Sequence, residues 1–367
     1  MKPTFTFVLL CVLYSVCGSL ATAVCIGTSV RAFGARGDGQ TDDTMAIQSA
    51  INAAAAAGGG SVVFDVARYF TTGSFVVPKG VVLCGAIEGP FDITSQVDPA
   101  VTVVAPTLLV TNSNAPFLTL NGVGAGVTDL LFHYPNQVSV TSSAPNVYPY
   151  TIVAASGGTK VVRSFVTNAY NFLDIESGRV LAQDLKIGAF NIGVNVDHAY
   201  DHVTVRNVGL GVFWDQAQNQ GYPQPIDTWV LTHGIGLVVN RADSIEVHDF
   251  GGFSRFAGML LTDSPDTSQN PRCGFGTGSD FQFDIFEYGI IVTASNTPGY
   301  EFTNLLAGGA AGPVFGQAVV QLKAGGSMPP DVLINGGSAY NPWTLGPFPT
   351  PAAGHLTVKN VIGYDIP

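Results

Sequence analysis

Two hydrophobic periods divide the chain. Between residues 44 and 57, Ala46, Ile47, Ala50, Ile51 and Ala54 recur at helical spacing and form one narrow stripe of small apolar side chains. Thr41 or Asp42 is placed to cap this helix, Asp43 adds negative charge to its first turn, and Gly58-Gly59-Gly60 stops it. Beyond Asp65 the period changes to two. Short pieces fit the template apolar, any, apolar, any, polar: VLAQD (180–184), VTVRN (203–207), IEVHD (245–249), YEFTN (300–304) and LTVKN (356–360), with KVVRS (160–164) as a looser fit. The polar anchors are therefore Ser164, Asp184, Asn207, Asp249, Asn304 and Asn360. Their first two steps are 20 and 23 residues; a step of 42 suits two coils, and steps of 55 and 56 suit two coils plus loops.

A 20–23-residue period carrying short strands predicts a stacked architecture. The leucine pattern of leucine-rich repeats is absent, and a propeller blade needs a longer repeat with aromatic signatures not found here. The expectation is an all-β parallel β-helix, in which each coil buries its inward side chains against the coils above and below. The open end of such a coil exposes unpaired edges and an apolar core. The single strong helix near the start is expected to lie across that end as a cap.

Composition narrows the class. Charged residues are only 11% of the 367, glycines number 44, and 46% of the chain is hydrophobic, which excludes disorder and suits strands joined by tight turns. The net charge of −11 with 15 Lys and Arg excludes a nucleic-acid partner and weighs against a strongly acidic polymer. Residues 1–23 combine Lys2, an apolar run from Phe5 to Val16, and Ala21-Thr22-Ala23, the pattern of a cleaved secretory signal. The expected mature unit is 24–367, with the cap at 24–65, outside the cell and without a membrane anchor. Three cysteines then remain, Cys25, Cys84 and Cys273. Their odd number leaves at least one unpaired, and the sequence does not say whether two of them join; Cys84, in VVLCG, reads as a buried thiol.

The run VRAFGARGDGQTDDTMAIQSAINAAAAAGGGSVVFD resembles the N-terminal signature of the pectate-lyase-3-like group of right-handed parallel β-helix proteins, which the polygalacturonases of glycoside hydrolase family 28 share. The elements that carry the resemblance are Phe33-Gly34-Ala35, Gly37-Asp38-Gly39, Thr41-Asp42-Asp43 and the Ala46-Ile47-Gln48-x-Ala50-Ile51 stretch. It implies a single-stranded right-handed coil with an N-terminal capping helix, and activity on a polysaccharide. It leaves the reaction open, because the group holds hydrolases, lyases, epimerases and non-catalytic spikes. Against the family 28 motifs, NVD (195–197) matches the first, Asp215 in FWDQ stands alone where two Asp are expected, THGIG keeps His233-Gly234 with Thr232 in place of Gly, and Arg-Ile-Lys is missing.

Chemistry is expected where outward residues of successive coils meet, about 4.8 Å apart per rung. The densest polar and aromatic cluster lies between 168 and 215. Asp197 and Asp215, 18 residues apart, are the leading acid/base pair, with Glu176 a further catalytic candidate. Tyr170, Asp174, His198, His233, Arg241 and Trp214 are candidate substrate contacts. Arg241 is placed either to pair with Asp243 or to bind a sugar carboxylate. DQAQNQGYPQPIDTW, between Trp214 and Trp229, reads as a loop that interrupts the coil rhythm. His133 and His355 read as structural. The leading function is glycoside hydrolysis of a polysaccharide, needing no metal or other cofactor. The alternatives are a lyase on a uronate polymer, for which Asp174, Glu176, Asp197 or Asp201 would supply a Ca²⁺ site, and a non-catalytic carbohydrate-binding or surface-assembly protein. A monomer and a homotrimer are both compatible with the shape.

Overall fold

The computed structural model describes residues 25–85, 105–138, 141–211, 224–308, 318–340 and 354–364. Residues 1–23, read as a secretory signal, lie outside them, as do Trp214 and Asp215. No helix among the described residues is long and apolar enough to cross a membrane.

Alternation of side chains turns the sequence template into stacked walls. The strand Val180–Val196 pairs in parallel with Lys160–Ile175 on one side and with Val203–Leu210 and Ile235–Val239 on the other. The same parallel register continues through Ile245–Leu261, Gly276–Val292, Tyr300–Gly308, Asp331–Tyr340 and His355–Tyr364. Each coil shows three faces. In the coil 180–196, face A is 180–183, face B 185–187 and face C 192–196. Inside, Leu185, Val208, Phe250, Phe281 and Leu305 stack rung on rung behind face B, and Leu173, Val194, Leu237, Met259, Ile290 and Val320 behind face C, all buried. One continuous apolar cluster results, from Val30 to Ile334.

Between faces A and B the chain turns on a single residue in the left-handed region. Asp184, Asn207, Asp249, Asn304 and Asn360 all adopt it, with φ between 49° and 56°. Asx side chains tolerate this region because they bond locally. Here they also bond between rungs: Asn207 donates to Asp184 at 2.7 Å and Asn304 to Asp280 at 2.6 Å. The sixth anchor is displaced by one residue. The turn falls on Arg163, φ 42°, whose guanidinium takes Asp129 of the preceding rung in a two-pronged pair, rather than on Ser164. The 42-residue step is also a correction. Val203–Leu210 pairs directly with Ile245–Leu261, so residues 207 and 249 stand on neighbouring rungs of face A and one coil is lengthened by an insertion.

That insertion holds a helix the sequence reading missed. Helix α1 spans Thr44–Ala56 and α2 spans Pro225–His233. Pro225 opens α2, and Asp227 bonds back to the Gln224 N–H at 2.7 Å, a capping box inside the stretch read as a loop. In α1 the stripe Ile47, Ala50, Ile51 and Ala54 is buried against the first coils. Its acidic lead-in works differently from a simple cap. Asp43 turns its buried carboxylate back onto the N–H groups of Arg36 and Gly37, at 2.6 and 2.9 Å, while Asp42 accepts from the Thr44 N–H at 3.0 Å. Cys84 is not a free thiol: it forms a disulfide with Cys25, and Cys273 is left buried and unpaired.

Candidate functional site

Face C brings together residues from four coils. Leu173 and Ile175 point inward, so Asp174 between them points out. Its rung partner is Asn195, whose Nδ2 donates to Asp174 Oδ1 at 2.8 Å. Asn240, two positions past Asn195's own partner Val238, donates to Asn195 Oδ1 at 2.9 Å. This chain of amides fixes the Asp174 carboxyl from one side. Burial, opposed in part by the Asn195 bond and reinforced by the charges of Glu176 and Asp197, raises its pKa from 3.8 to about 6. Tyr150, on the preceding coil, is pushed up by burial and by the charges of Asp174 and Glu176. Glu176 is exposed, two residues beyond Asp174 and just past the end of its strand.

Asp197 directly follows the strand Val180–Val196 of the next rung, with its carboxylate already occupied. Oδ1 accepts from the N–H groups of His198 and Arg241 at 2.8 and 3.2 Å, and Oδ2 from the Ser264 hydroxyl at 2.8 Å. It is buried and acts as the anchor of a turn. His198 bridges outward, its Nε2 3.1 Å from Asp266, which the hydroxyl and N–H of Ser268 hold down at about 2. Tyr200 donates to Gln269 at 2.9 Å. The segment 263–272 therefore walls one end of face C. Of the two roles read for Arg241, the geometry shows the ion pair: its buried guanidinium takes Asp243, at 3.1 Å through Nη2, and lies over the Tyr200 ring.

Helix α2 walls the other end. Trp229 packs on Tyr170 with ring centroids 6.1 Å apart, and His233 stacks flat on Trp229 at 4.4 Å. His233 Nδ1 lies 2.9 Å from the Trp229 carbonyl, so the THG stretch closes a helix. Asn191 bonds Asn171 at 3.0 Å between this aromatic end and Asp174. The arrangement thus gathers Tyr170, Asp174, Glu176, Asp197 and His198 along one face, sets His233 at its rim, and holds Arg241 inside its wall. Asn195, Asn240, Tyr150 and Asp266 were missed. Asn195 was in plain view in NVD, and the Val-Asn step shared by VNVD and VVNRAD was the available signal for Asn240. Among the described residues, one trio of metal-type side chains lies close together, Cys25, Cys84 and Asp129, and two of its members are disulfide-bonded.

A fold of parallel coils with an outward carboxyl row on one face defines a class, and the sequence comparison supplies the family. The chain belongs to the Rhamnogalacturonase A/epimerase, pectate lyase-like family, whose sequence model matches residues 27–216, more than half of the 367. Alginate lyase 7 of Azotobacter vinelandii is 47% identical over 68 residues, 17% of this chain and 8% of that protein. The chain therefore aligns with under a tenth of that relative's length. Two solved structures share the fold at low identity. The catalytic unit of an α-1,3-glucanase of family GH87 from Streptomyces thermodiastaticus is 17% identical with a TM-score of 0.50, covering 92% of this chain and 69% of that one. A mutant tailspike protein of E. coli bacteriophage HK620, in complex with a pentasaccharide, is 11% identical with a TM-score of 0.56, covering 93% and 63%.

Proposed function

We propose that the protein is a secreted glycoside hydrolase acting on a polysaccharide laid along face C, with Asp174 as the general acid. The observation that carries this reading is the Asp174 carboxyl itself: outward, held by Asn195, and with a pKa of about 6. A carboxyl that keeps its proton near neutral pH can deliver it to a departing glycosidic oxygen. Glu176 supplies the second carboxyl group. Two residues along an extended chain set the two Cα atoms about 7 Å apart. Carboxyl groups held at a similar spacing would leave room for a water molecule between them, the arrangement of an inverting enzyme. The aromatic pair Tyr170 and Trp229 gives the sugar chain a stacking surface at the α2 end. Asp197 is assigned as the anchor that keeps His198 and Arg241 in place, in support of the site. The α1 helix is read as the lid on a right-handed coil, shielding the first rung from edge pairing.

Incubation with a panel of plant, algal and microbial glycans tests the reading. New reducing ends without ultraviolet-absorbing unsaturated products are expected. Asp174→Asn should lower kcat by about 10²–10⁴, with Glu176→Gln comparably impaired. Unsaturated ends would establish the lyase alternative, and full turnover by Asp174→Asn would remove the assigned acid.

A further inference from the structure

Face B, one bend away from face C, carries an open groove of about 520 Å³ that the chemistry above does not use. The register explains it. Outward positions on successive rungs are Lys186, Gly209, Gly251, Gln282 and Leu306. Two adjacent rungs with no side chain open a trough between taller neighbours. At Gly251 a Cβ would lie 2.0 Å from the Gln282 carbonyl oxygen, so the close approach of the coils accounts for that glycine. At Gly209 the coils do not demand it: the three atoms nearest to a Cβ would all belong to the long Lys186 side chain, with Nζ at 2.8 Å. The trough is left empty there without a backbone reason.

Resting on the reading of this protein as glycan-active, we infer that face B is a second binding groove, separate from the hydrolytic face, for an uncharged stretch of glycan. The exposed Leu306 side chain and the bare glycine backbone offer apolar surface. Lys186 and Gln282 offer donors, and the exposed Asp284 offers acceptors. Interleaved donors and acceptors beside an apolar floor suit a pyranose, which has apolar faces and a rim of hydroxyls. From Lys186 to Leu306 the five rungs span about 19 Å, so an extended oligosaccharide lies along the coil axis with one rung per about 4.8 Å. Charge selects the type of glycan. Asp249, Asp280 and Asp284 line the groove against Lys186 alone, a balance that repels a polyuronate.

Hydrogen–deuterium exchange tests the proposal, using cellohexaose, laminarihexaose, xylohexaose and maltohexaose, with hexagalacturonate as the charged counterpart. The Asp174→Asn chain is used for binding so that ligands persist. At least one neutral hexaose should protect 208–210, 250–253 and 281–284. Gly209→Tyr, which fills the trough at the cost of moving the Lys186 tip, should abolish that protection and weaken the affinity of this site at least tenfold. The same substitution in the otherwise wild-type chain should leave cleavage of short substrates unchanged. No protection by any neutral hexaose, equal protection by hexagalacturonate, or protection that survives Gly209→Tyr would overturn the groove. Absence of cleavage by the wild-type chain, with protection retained, would instead overturn only the hydrolase reading.

Discussion

Raising the Asp174 carboxyl to about 6 makes folding depend on the same proton that the reaction would use. The sign follows from linkage. In the unfolded chain the group titrates near 3.8; in the folded chain near 6. Between those values the folded state holds the extra proton, so stability falls as pH rises from about 4 to 6 and stays lower above that. The full cost of ionising it in place is about 3 kcal/mol at neutral pH. Asp174→Asn keeps the acceptor for Asn195 and cannot ionise. Urea unfolding at pH 7.5 should therefore show the variant more stable than wild type by up to that amount, with the two converging at pH 4. An equal difference at both pH values would mean that Asp174 is not held in its neutral form. The position of Asp174 was legible in the sequence, since it stands one coil before Asn195. What separated it from Asp197 was not legible: Asp197 is occupied by Ser264, 67 residues further on, across a contact that no local pattern encodes.

The turn between faces A and B is the element that sets the rung spacing, and its residues carry strain that their side chains offset. Asn207 sits at φ 49° and bonds Asp184 of the rung before it. A β-branched residue there would meet the full penalty of the left-handed region and lose the bond. Asn207→Val should cost about 2–4 kcal/mol, and Asn207→Gly, which keeps the conformation, about 0.5–1.5 kcal/mol. Thermal unfolding of the two variants checks the order; a glycine variant as unstable as the valine one would show that the bond, not the backbone, dominates. The template of alternating apolar positions ending in an Asx residue found five such turns because the alternation and the special residue coincide. It slipped at Ser164, where Arg163 makes the turn and an ion pair replaces the amide bond. The template also misread the 42-residue step, because α2 lengthens a coil without adding a rung. The capping box at Gln224 and Asp227, and Pro225 at the first turn, were the local signals of that helix.

In a stacked coil each rung contacts only its neighbours, so a cross-link acts where it is placed and its effect fades along the axis. The disulfide Cys25–Cys84 closes a separation of 59 residues. Gly27–Ser29 pairs with Gly60–Phe64, which pairs with Val81–Gly85, so the bridge ties the first strand to the rung two places along and encloses α1 within the loop it makes. Loop-closure entropy for that length sets an upper contribution of about 4 kcal/mol. Unlike the side-chain rows, this pairing could not be read from spacing, because three cysteines allow three pairings and only the coil register brings two of them together. Replacing Cys25 with Ser and Cys84 with Ala should speed amide exchange across 27–64 by one to three orders of magnitude. Exchange in Ile245–Leu261 and Gly276–Val292, many rungs away, should stay at the wild-type rate. Uniform acceleration along the whole chain would show that the coils unfold as one cooperative unit, and would remove the nearest-neighbour picture on which the local effect depends.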